Sequence, residues 1–255
     1  MSNTSESKRP NVTENSVFKD LTQDVLSLER GLPVTVWHMI KSPGVVIDSY
    51  FTDRGRYINP FRYAIIVLAI TAVIVGFFVD YEALYRHALE EGAGEDLNTF
   101  IATLSAQVPG FDWQKYFDSF LELSVMFSEK FSQVGAILIF APIMALFSWM
   151  FFKSKKEKFV YHYVMMLYNL TTFSIFSSLV SPLIDEQGFA LSSWYMVLTI
   201  GIMLGFTYYV MRSYLRFNRF MDHVKVIFTF FLGYFGYSIL TAFLLYGGAF
   251  IYMKY

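Results

Sequence analysis

The chain has 255 residues, of which 55% are hydrophobic, 20% aromatic and only 16% charged, with a mean hydropathy of +0.42. A soluble domain carries roughly 25% charged residues, and a formal net charge of −1 gives no basic field to hold nucleic acid. With no cysteine in the chain, disulfides, iron–sulfur clusters, thiol nucleophiles and cysteine-ligated zinc are excluded.

Residues 1–15 are polar and rich in Ser, Asn, Thr and Glu. They are expected to be disordered and to contain no cleavable signal peptide, so the first apolar span serves as the insertion signal. Residues 16–62 form an amphipathic cytoplasmic juxtamembrane region. Val17, Phe18, Leu21, Val25 and Leu28 recur at helical spacing, with Lys19, Asp20, Asp24 and Glu29 opposite. Gly31 stops that helix and Pro33 opens the next, which ends at Ser42-Pro43-Gly44, a turn signal. A short VVIDSYF run then leads to Arg54, Arg56, Asn59-Pro60-Phe61 and Arg62. Apolar faces ringed by Lys and Arg suit a segment lying on anionic lipid, and equally an intramolecular cap on a helical bundle. On the lipid reading, Arg54, Arg56 and Arg62, with the turn at Pro43 and Gly44, are the headgroup-level candidates.

A hydrocarbon core about 30 Å thick needs roughly 20 apolar residues in a helix. Five stretches qualify, over about 62–79, 134–152, 159–184, 190–211 and 224–252, and none has Asp, Glu, Lys or Arg in its central part. Five such runs stand against a soluble protein with buried core helices. Between the first two lies residues 80–133, with ten acidic residues and three basic ones. This segment reads as a helix, a Gly-Ala-Gly break, a second helix, Pro109-Gly110, and a longer helix capped by Asp112 that continues toward the second span. An acidic hairpin of this kind collects cations, docks a partner, or is simply a solvated face. Pro142 in the second span and Pro182 in the third mark kinks.

Orientation follows from the connecting segments. Lys41, Arg54, Arg56 and Arg62 precede the first span, Lys153, Lys155, Lys156 and Lys158 follow the second, and Arg212, Arg216, Arg219 and Lys225 follow the fourth. The other side holds the acidic segment and, after the third span, Asp185 and Glu186. The alternation is unbroken and places the N-terminus in the cytoplasm and the C-terminus outside. Aromatic residues near the span ends, among them Tyr63, Trp149, Tyr161 and Tyr208, suit the headgroup level.

Chemistry at bilayer depth needs charged or nucleophilic groups there, and the spans offer almost none. The chain has no HExxH or GxSxG motif, and His38, His87, His162 and His223 lie in four different segments without ligand spacing. Catalytic residues, metal ligands and cofactors are therefore not expected. Pumps and proton-coupled carriers use an intramembrane carboxylate, and five spans do not divide into inverted repeats. The polar content of the spans is neutral. In the third span Asn169, Thr172 and Ser178 stand among further hydroxyls, as helix-packing residues or as the lining of a permeation path. In the fourth, Gly201 and Gly205 form a GxxxG pair for helix contact, within the chain or between copies.

The stretch 24–63 resembles the leader of DUF3667, a family of bacterial inner-membrane proteins known only as a domain of unknown function. The resemblance rests on Thr35, Pro43-Gly44, Arg54 and Arg56, Tyr57 and Pro60-Phe61 immediately before the first span. Many members carry N-terminal cysteine pairs resembling a zinc ribbon, which this chain lacks, so no metal role carries over. The resemblance implies the topology and brings no activity.

The expectation is an all-α membrane protein of the bacterial inner membrane: a five-helix transmembrane bundle with amphipathic N-terminal surface helices and a helical extracytoplasmic hairpin. Its expected role is a non-enzymatic scaffold or accessory subunit, with a channel or permease for an ion or small solute as the alternative and a lipid-modifying enzyme behind both. The expected partners are anionic headgroups on the cytoplasmic side, further copies of the chain or other membrane proteins, and no nucleic acid.

Overall fold

Helix boundaries follow from local chemistry at each junction. The computed structural model describes residues 31–53, 55–83, 85, 97–180 and 193–253, and all regular structure among them is helical. The expected amphipathic helix before Gly31, Arg54, the Gly-Ala-Gly break and Pro182 lie outside the described residues. Helix α1 (31–41) and helix α2 (Pro43–Thr52) are separated by Ser42 alone. Pro43 occupies the first turn of α2, where a missing N–H costs nothing. The turn expected at Ser42-Pro43-Gly44 is therefore a one-residue break between two helices, and the VVIDSYF run is helical. Helix α3 (Pro60–Phe78) opens the same way, and the Asn59 side chain caps it by accepting the Phe61 N–H at 3.0 Å.

Helix α4 (Leu97–Gln107) ends before Pro109-Gly110, where Gly110 adopts φ +99°, a conformation that glycine takes without a Cβ clash. Helix α5 (Trp113–Gly135) then starts under Asp112, whose Oδ1 accepts the Lys115 N–H at 2.9 Å. It runs through a π-helical turn, Ala136–Phe140, directly into α6 (Ala141–Phe152). The irregularity expected at Pro142 takes this form. A proline cannot donate to the carbonyl four residues back and its ring crowds that turn, and a widened turn just before it relieves both problems. Helices α7 (Phe159–Val180), α8 (Ser193–Leu215) and α9 (Phe220–Tyr252) complete the described chain.

Helix α7 is the hub, packed against α3, α6 and α8, while α9 lies against α5, α6 and α8. The core runs through Tyr63, Val67, Met144, Met165, Met166, Val210, Met211, Val226 and Phe230. Two glycines of α9 permit the close approach. A Cβ on Gly233 would collide with Met144, and one on Gly248 would lie 2.7 Å from Leu123.

Three of these helices, α3, α7 and α9, are long and apolar enough to cross a membrane. They coincide with the first, third and fifth of the expected spans. The second expected span covers the π turn and the 12-residue apolar helix α6, and the fourth falls on the 23-residue α8. The outer surface is apolar where a soluble protein would be polar: Ile65, Phe77 and Phe243 are 69%, 80% and 74% exposed. Helix α9, with 33 residues, is about 50 Å long against a hydrocarbon core of about 30 Å. Its C-terminal part packs along α5 and the residues just before it, with Phe250 stacked on Phe111, Tyr246 on Phe120, and the Tyr252 hydroxyl donating to Glu122 at 3.1 Å.

Candidate functional site

The end of the bundle away from those contacts gathers basic segments around two carboxylates. Asp48 lies near the middle of α2. Its Oδ1 is 3.2 Å from Lys156 in the α6–α7 loop, and its Oδ2 is 3.5 Å from Arg216 just beyond α8. The Lys156 ammonium also sits 4.5 Å above the Tyr214 ring and 5.5 Å from that of Tyr161, within cation–π range. Beside this group Asp222, in the first turn of α9, lies 3.9 Å from Lys155 and 3.8 Å from Lys225. The side chains of the Asp48 triad are 30–81% exposed, so each pair contributes about 1 kcal/mol at most. Their value is positional, since they tie α2 to two loops far away in the chain.

Burial supplies the rest of that attachment. Met39 of α1 and Val46 and Ile47 of α2 are fully buried. Gly44 is pressed against α8, donating its N–H to the Ser213 hydroxyl at 3.0 Å, while a Cβ there would lie 2.6 Å from the Ser213 carbonyl oxygen. The Tyr209 hydroxyl of α8 donates to the Lys41 carbonyl at 2.9 Å. Thr35 lies at the centre of a second set of contacts. Its hydroxyl donates to the Gly31 carbonyl at 2.8 Å and accepts the Ile58 N–H at 3.3 Å, and the Ile58 carbonyl accepts from Tyr168 of α7 at 2.6 Å. The described part of the leader, from residue 31 onward, is thus docked on the bundle. Pro43 and Gly44, candidates for the headgroup level, are buried in this contact. Arg56 and Arg62 are exposed, with Arg56 over the Tyr57 ring at 5.4 Å.

Two of the three neutral candidates of α7 bond to other helices. The Asn169 amide donates to Thr207 of α8 at 2.9 Å. The Thr172 hydroxyl donates to the Tyr168 carbonyl at 2.8 Å, which leaves its oxygen to accept from Tyr63 of α3 at 3.1 Å. Ser178, buried, donates to the Ile175 carbonyl at 2.9 Å. Asn169 and Thr172 therefore join α7 to α8 and α3. Two buried polar atoms nearby, Asn169 Oδ1 and Thr171 Oγ1, have no hydrogen-bond partner among the described residues. His162 is fully buried between Ser148 of α6, at 2.8 Å from Nδ1, and the Lys156 carbonyl, at 3.0 Å from Nε2. A carbonyl only accepts, so Nε2 carries a proton, and in the neutral ring Nδ1 accepts from Ser148. The ring bridges α6 and the α6–α7 loop. No group of three or more potential metal-ligating side chains occurs among the described residues.

Gly201 and Gly205 meet nothing: a Cβ at either position would have no neighbour within 4 Å. Their helix-contact role is not realised among the described residues.

Sequence reasoning did not find Asp48, Lys156, Arg216 and Ser213 as a group. Charge alone marked the two basic residues, and no local pattern pairs residues 108 and 168 positions apart. No family model, curated protein or solved structure matches the chain.

Proposed function

We propose that this is a five-span protein of a bacterial inner membrane, with its N-terminus cytoplasmic, that acts as a non-enzymatic scaffold or accessory subunit. The observation that carries this reading is where the ionised groups lie. In α3, α7 and α9 every Asp, Glu, Lys or Arg falls in the first two turns, whereas membrane catalysis and ion coupling use such groups at depth. The exposed apolar belt supports membrane placement. The docked basic end and the acidic segment packed on the far end of α9 support the orientation, by the positive-inside rule. Helix α8, 23 residues long with one charge in its last turn, and the continuous α5–α6 rod supply the other two spans. The resemblance of residues 24–63 to the DUF3667 leader supports the same topology, because Thr35, Gly44, Tyr57 and Pro60 are all buried where the leader meets the bundle.

The test is ion and solute flux in liposomes of purified protein with verified insertion. The scaffold reading expects no flux above empty vesicles and leads to partner identification by cross-linking in native membranes. A second reading, a channel or permease, draws on Asn169 Oδ1 and Thr171 Oγ1, without partners among the described residues, in the most buried of the three candidate spans. It expects selective flux that Asn169→Leu abolishes, a result that rejects the scaffold.

A further inference from the structure

Between α1 and the flank formed by α3 and α7 runs an open groove of about 380 Å³. Leu32, Val36, Trp37 and Ile40 of α1 form one wall, and Val67, Ile70 and Ile74 of α3, with Ile175 and Leu179 of α7, form the other. The two hydroxyls in that wall, Thr71 and Ser178, donate to carbonyls of their own helices at 3.2 and 2.9 Å. The groove opens outward, since Trp37, Ile70 and Leu179 are 60%, 47% and 65% exposed.

We propose that this groove holds one acyl chain of a phospholipid drawn from the surrounding bilayer. The inference rests on the membrane placement proposed above and goes beyond it by assigning a discrete lipid site. Its volume lies in the usual range for small-molecule pockets, roughly 300–1,000 Å³. Water is a poor occupant, because a buried water needs two to four polar partners and these walls turn their hydroxyls inward. A void is no better, because the groove opens sideways toward hydrocarbon along α3 and α7, two of the helices able to span. The headgroup end is set by the amphipathic and charged residues at the groove's cytoplasmic side. Trp37 has the aromatic character of an interfacial residue. Lys41 follows the last lining residue of α1 and is exposed. A cation next to an apolar slot favours an anionic headgroup.

The test is native mass spectrometry of the full chain released from nanodiscs of mixed phosphatidylglycerol and phosphatidylethanolamine. One phospholipid per chain should be retained. Ile70→Trp and, from the opposite wall, Ile40→Trp should each cut retention at least tenfold. Ile65→Trp, on the same helix and 69% exposed but outside the groove, should leave it unchanged. Lys41→Gln should keep the lipid while lowering the preference for phosphatidylglycerol severalfold. No retained lipid, or equal retention in Ile70→Trp and Ile65→Trp, overturns the site. A second copy of the chain released by Ile70→Trp also overturns it and assigns the groove to a protein contact. An unchanged headgroup preference in Lys41→Gln overturns the anionic assignment. Membrane placement is read separately: a chain recovered without detergent refutes that placement, whatever lipid it carries.

Discussion

Replacing Gly44 by alanine tests the docking of the leader most directly. The added Cβ would lie 2.6 Å from the Ser213 carbonyl oxygen and 2.9 Å from its carbon, where ordinary contact begins near 3.4 Å. Backbone atoms inside α8 cannot swing away as a side-chain tip can, so α2 must withdraw by about 0.8 Å. That displacement stretches the Gly44 N–H bond to Ser213, now 3.0 Å, beyond hydrogen-bonding range. Overpacking costs about 1–3 kcal/mol and the lost bond about 0.5–1.5 kcal/mol. Alanine recovers about 0.4–1 kcal/mol through the reduced freedom of the undocked chain. At the middle of these ranges the net loss is about 2 kcal/mol, which multiplies the undocked population roughly 30-fold. Amide hydrogen exchange in nanodiscs reads this directly. The α2 amides should exchange faster by that factor while those in the middle of α7 stay unchanged. Gly247→Ala, where a Cβ meets nothing within 4 Å, serves as the control and should have no effect on α2. Unchanged exchange in α2 of the Gly44→Ala protein would refute the close approach to α8.

Other substitutions probe separate contacts. Asn169→Leu removes the bond to Thr207 and should lower the resistance of the bundle to denaturation in detergent by about 0.6–1.7 kcal/mol; no change in the unfolding midpoint would count against a packing role. Asp48→Asn should weaken the attachment of α2 by about 1 kcal/mol at most, and the difference from wild type should shrink at high salt. A salt-independent difference in exchange would argue against ion pairing. Arg216 holds φ +49° just after α8, a conformation that costs a residue with a Cβ about 1–2 kcal/mol. Arg216→Gly should therefore be neutral or stabilising by thermal unfolding despite the loss of its contact with Asp48, and a drop in midpoint would contradict this. Gly233→Val should be strongly destabilising because it faces Met144 across the α6–α9 contact, whereas Gly76→Val, facing open space, should cost under 1 kcal/mol in the same assay.

What could be read from the residues follows from the range of the physics. Apolar block lengths and the cap signals at Asn59-Pro60 and Asp112 are local, and the helices begin where those residues put them. The segregation of charge is a property of whole segments, and the basic segments do meet at one end around Asp48 and Asp222. The leader was undecided because an amphipathic helix hides its apolar face equally well on lipid or on protein. Only the three-dimensional placement of Ser213, 169 residues from Gly44, decides it. Gly44 read as a turn former, although its missing side chain serves a close approach. Gly201 and Gly205 read as a contact motif, but spacing along one helix says nothing about whether another helix stands opposite. Pro142 signalled an irregular helix, and the π turn that answers it starts six residues earlier, a displacement that the sequence does not mark.

The pairing of Asp48 with Arg216 also sets a schedule for the chain's birth. At synthesis rates of about 5–20 residues per second, Arg216, 168 residues downstream, emerges roughly 8–34 s after Asp48. Until then α8, the helix on which α2 mainly packs, does not exist as a surface for Val46 and Ile47, which are fully buried in the finished protein. A nascent α2 next to a membrane has one apolar refuge, the lipid surface itself. The docked position of α2 is thus one that the chain reaches only once α8 is in place.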